Sequence, residues 1–168
     1  MQSIQIPEER VAVLLGEKGA TKRRIEKETK TKITVEEGFV EAVGDPIGEM
    51  TAIGVIHAIG RGFSPHNALR LLNEDNTLIL ISVTDFANTK SSLERLRGRV
   101  IGEDGKTRKT IENMTRTRIS VYGKTVGVIG SYENVEEARN AIEMLLSGSK
   151  HTTVYRNLEL METAGKKA

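Results

Sequence analysis

The chain contains no cysteine. Disulfide bonds and thiolate zinc sites are therefore excluded; the absence fits the expected cytoplasmic setting, or a protein that simply avoids oxidisable residues. No apolar run approaches the roughly 18 residues that a membrane-spanning helix needs. Met1 to Gln5 shows no basic start leading into an apolar stretch, so no secretory leader is expected. His57, His66 and His151 stand at no metal-ligand spacing, and no convincing magnesium-carboxylate motif is present. No metal, cofactor or catalytic residue is expected.

What is present suits a folded protein. The chain has 168 residues, 38% hydrophobic and 29% charged, enough for one domain or two small ones with packed cores. The net charge of +2 hides an uneven distribution. Residues 13–35 hold seven Lys/Arg against three Asp/Glu, residues 36–87 hold two against eight, and residues 88–125 hold ten against four. Two basic blocks flanking an acidic one are the footprint expected of a polyanion-binding protein.

The stretch Val100–Thr110, VIGEDGKTRKT, combines Gly-Lys-Thr with Gly-x-x-Gly. A nucleotide-binding phosphate loop needs a glycine five residues before Gly105, and that position is Val100. It also needs a preceding strand, whereas Leu93, Leu96, Val100 and Ile101 recur at helical spacing. A nucleotide-binding enzyme is therefore disfavoured.

The same block is written twice. Leu15–Val35, LGEKGATKRRIEKETKTKITV, matches Ile101–Val121, IGEDGKTRKTIENMTRTRISV, without a gap at an offset of 86 residues. Ten positions are identical, among them Gly16/Gly102, Glu17/Glu103, Gly19/Gly105, Thr21/Thr107, Glu26/Glu112, Thr29/Thr115 and Thr31/Thr117. This is an internal duplication of a small domain, with expected domains at 1–75 and 76–168.

Each copy shows the same order of patterns. The strands are expected at 3–6, 32–36 and 39–43 in the first copy and at 77–83, 118–122 and 125–129 in the second. The helices are expected at 10–15, 20–28 and 46–59, then at 92–101, 106–115 and 135–146, with Asn134 as N-cap of the last. The fold class is α+β, each copy a β-α-α-β-β-α unit with a three-stranded antiparallel sheet packed on three helices. A further helix is expected at 64–72, with Ser64 as N-cap and Pro65 in its first turn, packing the two domains together. The tail is expected to be helical from 152 to about 164 and to fray at 165–168.

Strand, helix, Gly-x-x-Gly, helix, strand, strand, helix resembles the type I KH fold over nearly the whole of both copies. Two segments, 95–112 (RLRGRVIGEDGKTRKTIE) and 58–72 (AIGRGFSPHNALRLL), resemble the archaeal branch of the partner-of-Nob family. That resemblance implies a non-enzymatic RNA-binding protein acting on the 3′ region of small-subunit (16S) ribosomal RNA in ribosome assembly or rRNA maturation. It implies as partners the small-subunit precursor, a Nob-type endonuclease and the alpha subunit of translation initiation factor two. The alternative is a KH-type adaptor for another RNA or for an exonuclease complex.

The physical reading of the residues supports an RNA site. A Gly-x-x-Gly turn lets a sugar-phosphate backbone come close, and the helix behind it begins with unpaired N–H groups and partial positive charge. The candidate RNA-binding residues in the first copy are Gly16, Glu17, Lys18, Gly19, Lys22, Arg23 and Ile33. In the second they are Arg97, Arg99, Gly102, Glu103, Asp104, Gly105, Lys106, Arg108, Lys109 and Ile119. A clamp of this type grips about four nucleotides of single strand. Glu103 and Asp104 oppose phosphate, and are expected to turn to solvent or to meet base donors.

Overall fold

The computed structural model describes residues 1–167, with side chains described for residues 1–165. The first of its two compact units spans Met1–Leu78 and the second begins at Ile79. The first unit runs β1 (Gln2–Gln5), α1 (Glu8–Leu15), a 3-10 turn (Glu17–Gly19), α2 (Ala20–Thr29), β2 (Lys32–Glu36), β3 (Phe39–Val43), α3 (Pro46–Gly60) and α4 (Pro65–Ala68), the last continuing as a 3-10 turn over Leu69–Leu72. Then follow β4 (Asn76–Ser82), α5 (Lys90–Ile101), a 3-10 turn (Glu103–Gly105), α6 (Lys106–Thr115), β5 (Arg118–Tyr122), β6 (Thr125–Ser131), α7 (Tyr132–Leu146) and α8 (His151–Lys167). The division between the units falls inside β4.

Each unit holds one antiparallel three-stranded sheet. Its order is β1-β3-β2 in the first unit and β4-β6-β5 in the second. The register pairs Ile33 with Ala42 and Ile119 with Val128. Alternation along β2 turns Ile33 into the core and leaves Lys32 and Thr34 exposed. Ile25 and Thr29 of α2, four apart, share the face buried on that sheet. Leu14, Ile25, Ile33, Val40, Val55, Ile56 and Ile59 form the first core, and Val100, Ile111, Val126, Val128, Ile142 and Leu145 anchor the second.

The 86-residue offset of the sequence holds in three dimensions. The bounds of α2, β2 and α3 recur in α6, β5 and α7 without a shift. The repeated polar residues explain why. At the exit from α2 the Thr29 hydroxyl donates to the Ile25 carbonyl at 2.6 Å and meets the Thr31 hydroxyl at 2.8 Å, while Glu26 Oε2 accepts the Ile33 N–H at 2.9 Å. At the exit from α6 the Thr115 hydroxyl donates to the Ile111 carbonyl at 2.7 Å and meets that of Thr117 at 2.8 Å, while Glu112 Oε2 accepts the Ile119 N–H at 2.8 Å. The four threonines and Glu112 are buried, so each bond replaces one lost to water.

Several expected boundaries move. The last helix of the second copy starts at Tyr132, capped by Ser131 and not by Asn134, because β6 runs on to Ser131 and leaves no loop. The Ser131 hydroxyl accepts the N–H of Asn134 itself at 3.3 Å, just as Asp45 Oδ1 accepts that of Gly48 at 2.9 Å in the first unit. Ser64 does cap, accepting the Asn67 N–H at 3.2 Å, but the helix it starts tightens to 3-10 geometry after Ala68. This segment packs on α3 and α2 of the first unit. The final helix is longer than expected, continuing through Gly165 to Lys167, because its seam of Val154 and Leu158 is buried against α6 and α7. Ala168, the last residue of the expected frayed end, lies outside the described residues.

Arg99 is committed to the fold. Its Nε donates to the Leu145 carbonyl at 3.0 Å and its Nη2 donates to the Ser149 carbonyl, both at the open end of α7. In the first unit Arg10 Nε and Nη2 donate to the carbonyls of Ile59 and Phe63, each at 2.8 Å. The acceptors correspond at the 86-residue offset. The arginines do not, because residue 10 corresponds to Leu96, one turn before Arg99. The same cationic cap on a helix C-terminus is thus built from two different turns of the preceding helix. Arg99→Ala is expected to lower stability by about 2 kcal/mol, since charge-assisted bonds of this kind contribute about 1.5–3 kcal/mol. Denaturant unfolding measures it, and the folded variant should keep its RNA affinity within about twofold, a factor worth under 0.5 kcal/mol.

Candidate nucleic-acid interface

The two Gly-x-x-Gly turns adopt one conformation. Gly16 (φ 72°, ψ 179°) and Gly102 (φ 77°, ψ 172°) lie in a region essentially restricted to glycine. A Cβ on either would overlap the hydroxyl of Thr21 or Thr107, and on Gly102 it would lie 2.6 Å from the Thr107 nitrogen. Lys18 and Gly19, then Asp104 and Gly105, take consecutive left-handed conformations, with φ between 54° and 76°. This turns the chain into α2 and α6, neither of which has a side-chain cap at its N-terminus. The N–H of the first helical residue, Ala20 or Lys106, donates to the carbonyl of Glu17 or Glu103, and the positive end of each helix dipole lies at the turn.

Val100 is buried inside α5, so helix, not strand, precedes the Gly-Lys-Thr sequence. Thr107 packs its hydroxyl under Gly102. Both features differ from a nucleotide-binding loop, which places a strand there and keeps that hydroxyl for magnesium.

Beside the first clamp lies a groove of about 710 Å³, lined by Val11 and Leu15 of α1, Gly19 and Lys22 around the turn, and Lys32 to Val35 of β2. It brings Gly19, Lys22 and Ile33 together. Ile33 is 1% exposed and Ile119 is 5% exposed, so both serve mainly as core beneath the groove. Lys22 pairs with Glu26 at 3.5 Å, and Arg108 pairs with Glu112 at 2.8 Å. Arg23 Nη1 donates to the Lys18 carbonyl at 2.6 Å and so braces the turn. Glu17, Lys18, Glu103, Asp104, Lys106 and Lys109 are exposed. Glu17 and Glu103, identical in the two copies, take part in none of the bonds that fix the α-to-β exits.

The offset carries the groove-lining positions into the second unit. Val11 becomes Arg97, Lys22 becomes Arg108, Lys32 becomes Arg118, and Glu37 becomes Gly123. Gly38, which also lines the groove, becomes Lys124, so the equivalent positions of the second unit gain two cations and lose a carboxylate. Arg97 Nε is buried and, among the described residues, is the buried side-chain polar atom without a hydrogen-bond partner. Such a donor costs about 1–3 kcal/mol until an acceptor arrives. Lys32 and Arg118 are absent from the candidates read from the sequence, although the offset together with strand alternation marks both.

His57 is partly buried, and burial together with nearby Arg61 lowers its pKa. His151 Nε2 lies 3.0 Å from the Arg99 carbonyl. No cluster of three metal-ligating side chains occurs among the described residues, and no described helix is long and apolar enough to cross a membrane.

Paired Gly-x-x-Gly turns between helices, each set beside a β-α-α-β-β-α sheet, define a protein with tandem type I KH domains. Residues 77–163 match the family model described as a eukaryotic-type KH domain of type I, and residues 1–57 match the KH domain model. A KH domain-containing protein of Methanocaldococcus jannaschii is 42% identical over 95% of this chain and 73% of its own length. The RNA-binding protein pno1 of Dictyostelium discoideum is 35% identical over 84% of this chain, which spans 60% of that relative. The crystal structure of Dim2p from Pyrococcus horikoshii is 48% identical, covers 94% of this chain and 97% of its own, and superposes with a TM-score of 0.89. A crystal structure of that organism's a/eIF2alpha–aDim2p–rRNA complex contains a chain 46% identical, covering 97% of this chain and 94% of its own, with a TM-score of 0.90. This chain belongs to the family of KH-domain pre-rRNA-processing proteins that contains pno1 and Dim2p.

Proposed function

We propose that this chain is a non-enzymatic, cytoplasmic single-stranded RNA-binding protein of small-subunit ribosome assembly or rRNA maturation. Its target is the 3′ region of 16S ribosomal RNA. The observation that carries the reading is the duplicated clamp: a glycine turn feeding a helix with no side-chain cap, beside a groove floored by aliphatic residues. Phosphates sit on the turn and the first helical N–H groups, and bases lie in the groove, their edges open to hydrogen bonding. The second groove supplies most of the affinity, through Arg97, Arg108 and Arg118, with Lys106 and Lys109 at its mouth. Glu103 faces the same mouth and accepts from base amino groups. The related Pyrococcus complex supports rRNA and the initiation-factor alpha subunit as partners; the small-subunit precursor and a Nob-type endonuclease are implied by the resemblance of 58–72 and 95–112 to the partner-of-Nob family.

Binding is expected to be salt-sensitive and selective for single strands. The affinity for an RNA of about 12 nucleotides, two four-nucleotide sites and a spacer, should fall with a log–log salt slope of about 0.7 per phosphate contact. Fluorescence anisotropy against single-stranded and duplex forms of one sequence tests this. Equal affinity for the two would remove the groove mechanism.

A further inference from the structure

We propose that the first unit also carries a protein-docking groove, which receives the apolar face of a basic amphipathic helix from a partner protein. A cavity of about 610 Å³ lies between the C-terminal end of α2, the first turns of α3 and the segment Leu71–Glu74. Ile47 and Met50 on its wall are neighbouring apolar side chains on α3, 72% and 62% exposed.

The second unit shows what belongs there. Thr29, Lys30, Gly48 and Thr51 of this groove correspond at the 86-residue offset to Thr115, Arg116, Asn134 and Glu137. Those four residues line a smaller cavity, of about 250 Å³, whose other wall is Met161, Glu162 and Gly165 of α8. A helix of the chain itself therefore occupies this position in the second unit. In the first unit the counterpart is the short segment 65–72, and Ile47 and Met50 beside it are exposed. The residues equivalent to these two are Glu133 and Glu136, both exposed. Carboxylates thus stand where the unit already has its helix, and aliphatic side chains stand where it does not.

Charge selects the occupant. Glu28, Asp45 and Glu74 line the groove against Lys30 as its one cation. Three carboxylates against one cation repel phosphate and attract a Lys/Arg-flanked helix. Apolar anchors at helical spacing laid into such a groove are a recurrent mode of peptide recognition.

The test uses the full chain, isotope-labelled for NMR. It is titrated with a synthetic helix bearing leucines at i, i+3, i+4 and i+7 and lysines on its flanks, with the same helix carrying glutamates for the lysines, and with RNA. The lysine helix is expected to shift amides at 45–51 and 71–74 saturably, and the glutamate helix to leave them in place. The double variant Ile47→Glu, Met50→Glu, which carries the side chains found at the equivalent positions of the second unit, is expected to bind the lysine helix at least about tenfold more weakly, a loss of about 1.4 kcal/mol. Its RNA affinity is expected to be unchanged, so this proposal and the RNA-clamp reading fail separately. Absent shifts at these amides in the parent chain, equal binding of the two helices, unimpaired binding by the variant, or shifts caused by RNA would each overturn the proposal.

Discussion

Gly105→Asp is expected to lower the affinity for a 12-nucleotide single-stranded RNA at least about tenfold, or 1.4 kcal/mol, while the protein stays folded. Gly105 is left-handed, at φ 74° and ψ 13°, a region that aspartate visits more readily than most residues. A Cβ there meets nothing closer than Arg108 Nη2 at 3.8 Å and Lys109 Cε at 3.9 Å. The new side chain therefore enters open space between two cations. It places a carboxylate where the phosphate is proposed to lie, and a desolvated like-charge contact costs on the order of several kcal/mol. The backbone strain adds only about 1 kcal/mol to folding. A smaller loss is expected for Gly19→Asp. There the Cβ would stand 2.9 Å from Arg23 Nη1, so the carboxylate would pair with that guanidinium, and the groove beside it is less basic. Anisotropy titration together with thermal unfolding decides the matter. A folded Gly105→Asp variant with parental RNA affinity would show that this turn is not the site.

Gly102→Ala is expected to have the opposite signature and the largest effect on stability, about 3 kcal/mol or more. Two terms combine. Alanine at φ 77° and ψ 172° is strained, by about 1–3 kcal/mol. Its Cβ also overlaps the Thr107 hydroxyl and crowds the Thr107 nitrogen at 2.6 Å, and overpacking of this kind costs about 1–3 kcal/mol. Thr107 is itself buried and lies in the first turn of α6, so relief requires moving the helix. The midpoint of thermal unfolding of the second unit should drop by about 12 °C or more, at the usual 4–8 °C per kcal/mol for a unit of this size. Melting within about 3 °C of the parent, less than one kcal/mol on the same scale, would contradict the packing described under this glycine. The two glycines of one motif thus serve separable purposes: the first is required by the fold and the second leaves the mouth of the clamp open.

Much of the architecture was legible in the sequence because it depends on local chemistry. Glycine pairs at 16/19 and 102/105 announce backbone conformations that other residues avoid. Period-two and helical patterns assign each element to a face. A constant 86-residue offset establishes that the two copies share one backbone plan. The β-α-α-β-β-α order, the duplication and the paired Gly-x-x-Gly turns follow from these, and they carry the resemblance to the type I KH fold.

What each repeated polar residue does was decided only by tertiary structure. Glu26, Glu112 and the four threonines appear in the sequence only as identities between the copies, and the structure shows that they hold the α-to-β exits together. Arg97 and Arg99, two residues apart on one helix, read as equivalent charges. Packing separates them: one guanidinium reaches carbonyls 46 and 50 residues away, and the other occupies a groove-lining position with its Nε unpartnered. The sequence places a charge on a helix, but two residues along that helix is a rotation of about 200°, and only the neighbouring elements determine which direction is core, which is groove and which is solvent.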